Sequence, residues 1–298
     1  MSELLSAGWM RLRRSKLLWI TCALLAVAVV GLVGRVWFSF RNAEEALRNY
    51  LVFKEGLMDG PFFTTAAMAV VLSSPVCAWF IGAEYQDGAI RCKLSVGCRR
   101  RDVYLSALAL TALCCVFLCA AVFLPGTLVF LVTVGRFGMG WSKALWQMAG
   151  ILTASIAFAS LFTLLGLNIS SRTASAIATI FLTLALIAVG SYLMERLSTP
   201  PTTQYYVFEP GTMDYVLNEH PNANYIPEGP VRSIMQFFAD FLPGGHISAY
   251  TSGDLGNSGL LMAFDVVGNP GVLMAFDAVF ALLTTLGGFL IFRRKDLR

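Results

Sequence analysis

Charge is scarce in this chain. Only 13% of its 298 residues are Asp, Glu, Lys or Arg and 57% are hydrophobic, whereas a soluble domain carries roughly 25% charge. Too little charge remains to cover a water-facing surface, which excludes an ordinary soluble protein. Histidine is almost absent: His220 and His246 are the pair it has, both in one polar stretch and far apart. His-Glu-x-x-His does not occur, nor does Gly-x-x-x-x-Gly-Lys-Ser/Thr, so the chain has no zincin site and no P-loop to cradle a nucleotide. Cys-x-x-Cys is missing too. Cys22, Cys77, Cys114, Cys115 and Cys119 lie in apolar runs and Cys92 and Cys98 in a charged island, a distribution that suits packing better than a disulfide or metal framework. Paired intramembrane carboxylates, the usual sign of an ion-coupled carrier, are lacking, with Asp277 the main ionisable residue inside an apolar run. The net charge of +4 sits in short loops beside apolar runs, where membrane topology accounts for it without a nucleic acid.

What the chain does have is six apolar runs, at about 17–34, 61–83, 103–134, 144–168, 174–194 and 272–292. Each approaches the roughly 20 residues that cross a ~30 Å hydrocarbon core. The expected fold is an all-α polytopic membrane protein with six transmembrane helices in one domain, 1–298. Ahead of the first span, residues 1–16 place Leu4, Leu5, Trp9 and Leu12 at helical spacing opposite Arg11, Arg13, Arg14 and Lys16, which predicts an interfacial helix and not a cleaved leader. Pro75 is expected to kink the second span and Pro125-Gly126 to tilt or break the third. Ser155 and Ser160 read as helix-packing residues.

Orientation follows from the island 84–102. Arg91, Lys93, Arg99, Arg100 and Arg101 stand there against Glu84, Asp87 and Asp102, and each cation would cost about 2.5–3.5 kcal/mol at mid-bilayer. A short basic loop belongs on the cytoplasmic side, which puts both termini inside as well. The loop 195–271 between spans five and six is rich in acids and turn residues and is expected outside as a small ordered cap, with Ile234–Phe241 and Leu242-Pro243-Gly244-Gly245 at or dipping into the outer interface. Asp277, about one and a half turns from the outer end of its span, is within reach of water or a basic partner.

Three stretches carry a family likeness: Leu12-Arg13-Arg14-Ser15-Lys16-Leu17-Leu18-Trp19-Ile20 leading into the first span, the island beginning Glu84-Tyr85-Gln86-Asp87-Gly88-Ala89-Ile90-Arg91, and the ending Phe292-Arg293-Arg294-Lys295-Asp296-Leu297. Together they resemble the permease subunit of an ABC-2 type ABC transporter. The island is similar to the family's Glu-x-x-x-Gly-Thr-Ile/Leu-Arg pattern, with Ala89 standing where Thr is usual. The resemblance implies an ATP-driven exporter of an amphipathic substrate (lipid-like, peptide or drug-like) in a bacterial cytoplasmic membrane. It also implies a separate ABC ATPase subunit that binds ATP and Mg, no cofactor in this chain, and a second permease copy or a homologous one. The coupling residues it points to are Glu84, Gly88, Arg91, Leu94, Gly97, Arg99, Arg100 and Arg101, with Ile90 and Leu94 as an apolar ridge for a groove on the ATPase. Pro75, Pro125, Pro243 and Asp277 are the hinge or gate candidates. The rival reading is a non-transporting membrane scaffold or sensor whose outer loop binds a ligand, and an intramembrane enzyme is disfavoured by the missing catalytic groups.

Overall fold

A computed structural model describes residues 2–42, 59–133, 137–209, 214–251 and 270–295. The loop 43–58 and the last part of the long polar loop, 252–269, lie outside the described residues. The helices, in chain order, are α1 (Ser2–Arg13), α2 (Lys16–Arg41), α3 (Asp59–Gln86), α4 (Ala89–Ser95), α5 (Arg100–Thr133), α6 (Trp141–Asn168) and α7 (Arg172–Ser198). An antiparallel hairpin follows, β1 (Thr202–Glu209) and β2 (Asp214–Pro221), and then α8 (Pro230–Phe241), α9 (Pro243–Thr251) and α10 (Pro270–Arg294). Six of these helices, α2, α3, α5, α6, α7 and α10, are long and apolar enough to cross a membrane. The protein is a helical polytopic membrane protein, and the hairpin is its one addition to the all-α expectation among the described residues.

α3 and α6 form the centre of the bundle. α3 touches α2, α5, α6, α7 and α9, while α6 touches α3, α5, α7, α9 and α10. Their most apolar windows are 61% buried, against 22% for α2, α7 and α10, so the outer three carry broad apolar faces such as Ile177, Phe181, Leu184 and Val189 on α7. In hydrocarbon such faces cost nothing to expose. The driving force for packing is therefore close van der Waals contact and interhelical hydrogen bonding, which small and hydroxylated residues provide.

The core bears this out. Thr111 of α5 and Thr163 of α6 pair at 2.7 Å, and Ser160 of α6 meets Thr284 of α10 at 2.5 Å. Ser155 lies 3.6 Å from Cys119, so both serines singled out for packing sit in helix contacts. Gly126 faces Phe62, whose ring occupies the space that a Cβ there would need.

Neither proline interrupts its helix. Of the tilt or break expected at Pro125-Gly126, the break does not occur: α5 runs unbroken from Arg100 to Thr133, with Gly126 packed against Phe62. α3 runs through Pro75 in the same way. Proline leaves the carbonyl of Val71 without its usual i+4 donor, and the Ser74 hydroxyl donates to that carbonyl at 2.8 Å. The neighbouring side chain thus restores the bond that proline removes.

At the end of the bundle away from α4, Asp59 accepts hydrogen bonds from the backbone N–H groups of Gly138 and Met139 at 3.3 and 3.0 Å. Phe62 sits there among Phe63, Phe130 and Phe137, and Phe130 stacks on Phe137 with ring centroids 4.3 Å apart. Anchored this way, the α5–α6 connection closes over the start of α3.

Candidate functional site

The charged island folds as a sharp elbow. Gly88, at φ 68°, takes the left-handed turn between α3 and α4, and its carbonyl accepts from Cys92 N–H at 3.0 Å. Gly97, at φ 93°, ends the helix: Cys98 N–H reaches the Lys93 carbonyl and Gly97 N–H the Leu94 carbonyl, both at 3.1 Å. That double return is a Schellman closure, in which an L side chain at the glycine position would be strained. Two of the expected coupling residues are thus there for backbone shape.

Three others face inward. Glu84 is 5% exposed and bridges Arg11 of α1 at 3.1 Å and Lys93 of α4 at 2.9 Å. One buried carboxylate ties α1, α3 and α4 together, and Arg11 also donates to the Phe80 carbonyl at 2.6 Å. Arg100 donates to the carbonyls of Phe292, Arg293 and Lys295 at 3.2, 3.0 and 2.7 Å, capping the C-terminal end of α10, where a cation complements the helix dipole. Leu94 is half-buried against the core, and Ile90 is 1% exposed. The expected Ile90/Leu94 ridge is therefore occupied by the chain's own bundle, because the elbow folds back onto α3 and α5 instead of standing free.

Arg91, Arg99 and Arg101 remain on the surface, around Val96, which is 84% exposed. The sequence alone did not separate these arginines from Arg100, since alternate sides of a turn are assigned only once its φ angles are known.

A second cation joins the elbow to the far end of the chain. Lys295 donates to the carbonyls of Leu167 and Asn168 at 3.3 and 3.0 Å and lies 4.7 Å from the Tyr85 ring centre. Tyr85 itself donates to the Leu167 carbonyl. Partial burial pushes the Lys295 ammonium below its usual range. The α6–α7 turn completes this face, with Arg172 stacked 3.3 Å from the Trp79 ring centre and bonded to Gln86 at 3.1 Å.

At the opposite end lie the hinge candidates Pro243 and Asp277, on α9 and α10. α8 leaves Val231, Ile234, Phe237 and Phe238 exposed, the pattern of a helix lying in a membrane interface. α9 then turns into the bundle against α7 and α6, with Pro243, Gly244, Gly245, His246, Ile247 and Tyr250 buried. Pro243 opens α9 at its first turn, where its missing N–H has no partner to lose. A Cβ at Gly190 of α7 would overlap the backbone of Gly244 and Gly245, so the approach is backbone to backbone, and Ser191 pairs with Ser248 at 2.6 Å.

His246 arrives 2.7 Å from Asp277 through Nδ1 and 2.6 Å from the Asp240 carbonyl through Nε2. Asp277 also accepts from Thr153 at 3.1 Å. Asp277 is 1% exposed, so the partner open to it is basic, and water does not reach it. Burial raises the Asp240 carboxyl above its usual range, partly offset by His246, and pushes the Tyr250 hydroxyl up. Sequence reasoning treated His246 as a loop residue, although an acid inside a span demands a partner and only two histidines were on offer. Among the described residues no group of three or more His, Cys, Asp or Glu converges as metal ligands.

Residues 4–190 match the family model of the ABC-2 family transporter protein, which is well over half of the chain. The chain belongs to the ABC-2 transporter family. The match takes in α1, the elbow and most of α7, and it ends before the hairpin, α8, α9 and α10. A comparison with curated proteins finds no match. As a permease of this family the chain is a membrane transport component and is not itself a catalyst.

Proposed function

We propose that this ABC-2 permease is one half of an ATP-driven exporter, moving an amphipathic substrate across a bacterial cytoplasmic membrane with energy from a separate ABC ATPase. The observation that carries this reading is the elbow: three surface arginines on a short loop whose interior partners reach four other helices. Arg91, Arg99 and Arg101 meet an acidic rim on the ATPase around Val96. Glu84 passes the displacement to α1 and α3, Arg100 to α10, and Lys295 with Tyr85 to α6. ATP draws two ATPase subunits together, the two elbows move with them, and the permease halves exchange between inward-open and outward-open arrangements. Phe158, Phe162 and Leu118 fill the middle of the bundle, so the substrate path runs between this chain and a second copy or a homologous permease.

Reconstitution with a P-loop ATPase in vesicles tests this reading. ATP hydrolysis is expected to rise when the permease is present and to rise again with the transported compound. An ATPase rate indifferent to the permease would count against it. Orientation has its own check: in intact cells an impermeant maleimide is expected to label a cysteine introduced at Ala223, beyond the hairpin, and to miss one at Ser95 on the elbow. The reverse pattern turns the molecule over and removes the ATPase from reach.

A further inference from the structure

The buried contact between α9 and α10 imposes a proton count. His246 is 0% and Asp277 1% exposed, and the ring makes both of its contacts at full hydrogen-bond closeness, 2.7 Å to Asp277 Oδ1 and 2.6 Å to the Asp240 carbonyl. A backbone carbonyl has no hydrogen to give, so Nε2 must be the donor on that side. The other side then needs one more proton between Nδ1 and Oδ1, carried either by the imidazolium or by the carboxylic acid. A neutral ring beside an ionised carboxylate would set two lone pairs against each other at 2.7 Å, too close for a water to lie between them.

We propose that His246 and Asp277 form a proton-binding site that holds α9 against α10: with the shared proton bound the contact closes, and when the proton passes to solvent it opens. The step releases one proton, leaves neutral imidazole and carboxylate, and breaks one hydrogen bond. Because α8 hangs on the same ring through the Asp240 carbonyl, release loosens the α8–α9 unit from the last span. The surroundings favour this role. Tyr250, 0% exposed and close enough to feel the Asp277 charge, has a hydroxyl with no hydrogen-bond partner among the described residues, a donor that can take up the carboxylate when the contact shifts.

The titratable groups facing the pair are few. α8 brings the Asp240 carboxyl, α9 Tyr250, and α6 the neutral Gln147 and Thr153. The charged side chains nearest along the neighbouring elements are engaged elsewhere: Asp59 of α3 with Gly138 and Met139, Arg196 of α7 with Tyr192 and Asn224, and Arg232 of α8 with the Ile226 and Leu197 carbonyls. None of these supplies a second cation to the buried carboxylate. The closed contact is stable while the shared proton is bound and is lost once rising pH removes that proton.

The test needs neither ATPase nor substrate, so its failure is separable from failure of the exporter reading. The full chain in phospholipid nanodiscs is melted at pH 6 and pH 9, alongside D277N. An asparagine amide donates to the neutral ring without a titratable proton, so wild type is expected to lose at least about 3 °C more than D277N over that interval. Equal losses would overturn the site. Should D277N fail to fold, the readout is nitrogen NMR of 15N-histidine in H220Q, where His246 is the one labelled ring. Hydrogens on both ring nitrogens at pH 7.5 support the site, as does Nε2–H beside a protonated Asp277 carboxyl in the infrared. A ring with a single N–H, on either nitrogen, beside an ionised Asp277 refutes it.

Discussion

R99E/R101E is expected to lower co-purification of the permease with its ATPase at least tenfold, while membrane insertion and melting temperature stay at wild-type values. Both side chains are on the surface and none of the elbow's internal bonds uses them. Reversing two charges against an acidic rim replaces attraction by like-charge contact, which costs several kcal/mol, and each 1.4 kcal/mol is a factor of ten in affinity. R100E is the informative contrast. Its carboxylate would face the carbonyls of Phe292, Arg293 and Lys295 at the negative end of a helix, so it should reduce stability by about 1–3 kcal/mol. Binding assays at matched folded concentration and thermal melts separate the two effects. If R99E/R101E binds the ATPase normally, the docking face lies elsewhere.

The second large effect is expected from Gly190. In G190V the new β-branched side chain meets the backbone of Gly244 and Gly245, and backbone yields far less readily than the end of a side chain. Overpacking of this kind costs typically 1–3 kcal/mol, occasionally more, and relief requires α9 to leave its seat. The Ser191–Ser248 pair and the His246–Asp277 contact go with it. Amide exchange in α9 should accelerate at least tenfold and the melting temperature should fall. G31A provides the control, because nothing lies within 4 Å of a Cβ at Gly31 in α2, and alanine in a helix interior is neutral to stabilising by about 0.5–1 kcal/mol. Wild-type exchange of α9 in G190V would mean that its seat is looser than the backbone contact implies.

Six spans, the interfacial lead and the basic elbow were legible because hydrophobic length and charge clustering act locally. Hydrocarbon excludes charge wherever the neighbours are, so a run such as Ala174–Met194 declares itself without knowledge of its contacts. The family likeness rested on the same stretches. Local rules did not show how the chain accommodates its prolines, since the Val71 carbonyl freed by Pro75 is taken up by Ser74 and the helix around Pro125 packs through Gly126 on Phe62, which lies across the bundle.

The sequence by itself determined that the chain lives in a membrane, how many times it crosses, and where its charge gathers, because the bilayer selects on composition over about 20 residues. Tertiary structure alone decided which charges are used internally. Glu84 and Arg11 are 73 positions apart, Arg100 and Lys295 195, and His246 and Asp277 31. Pairing a buried charge depends on distance in space, and no spacing along the chain encodes it until the helices have chosen their neighbours.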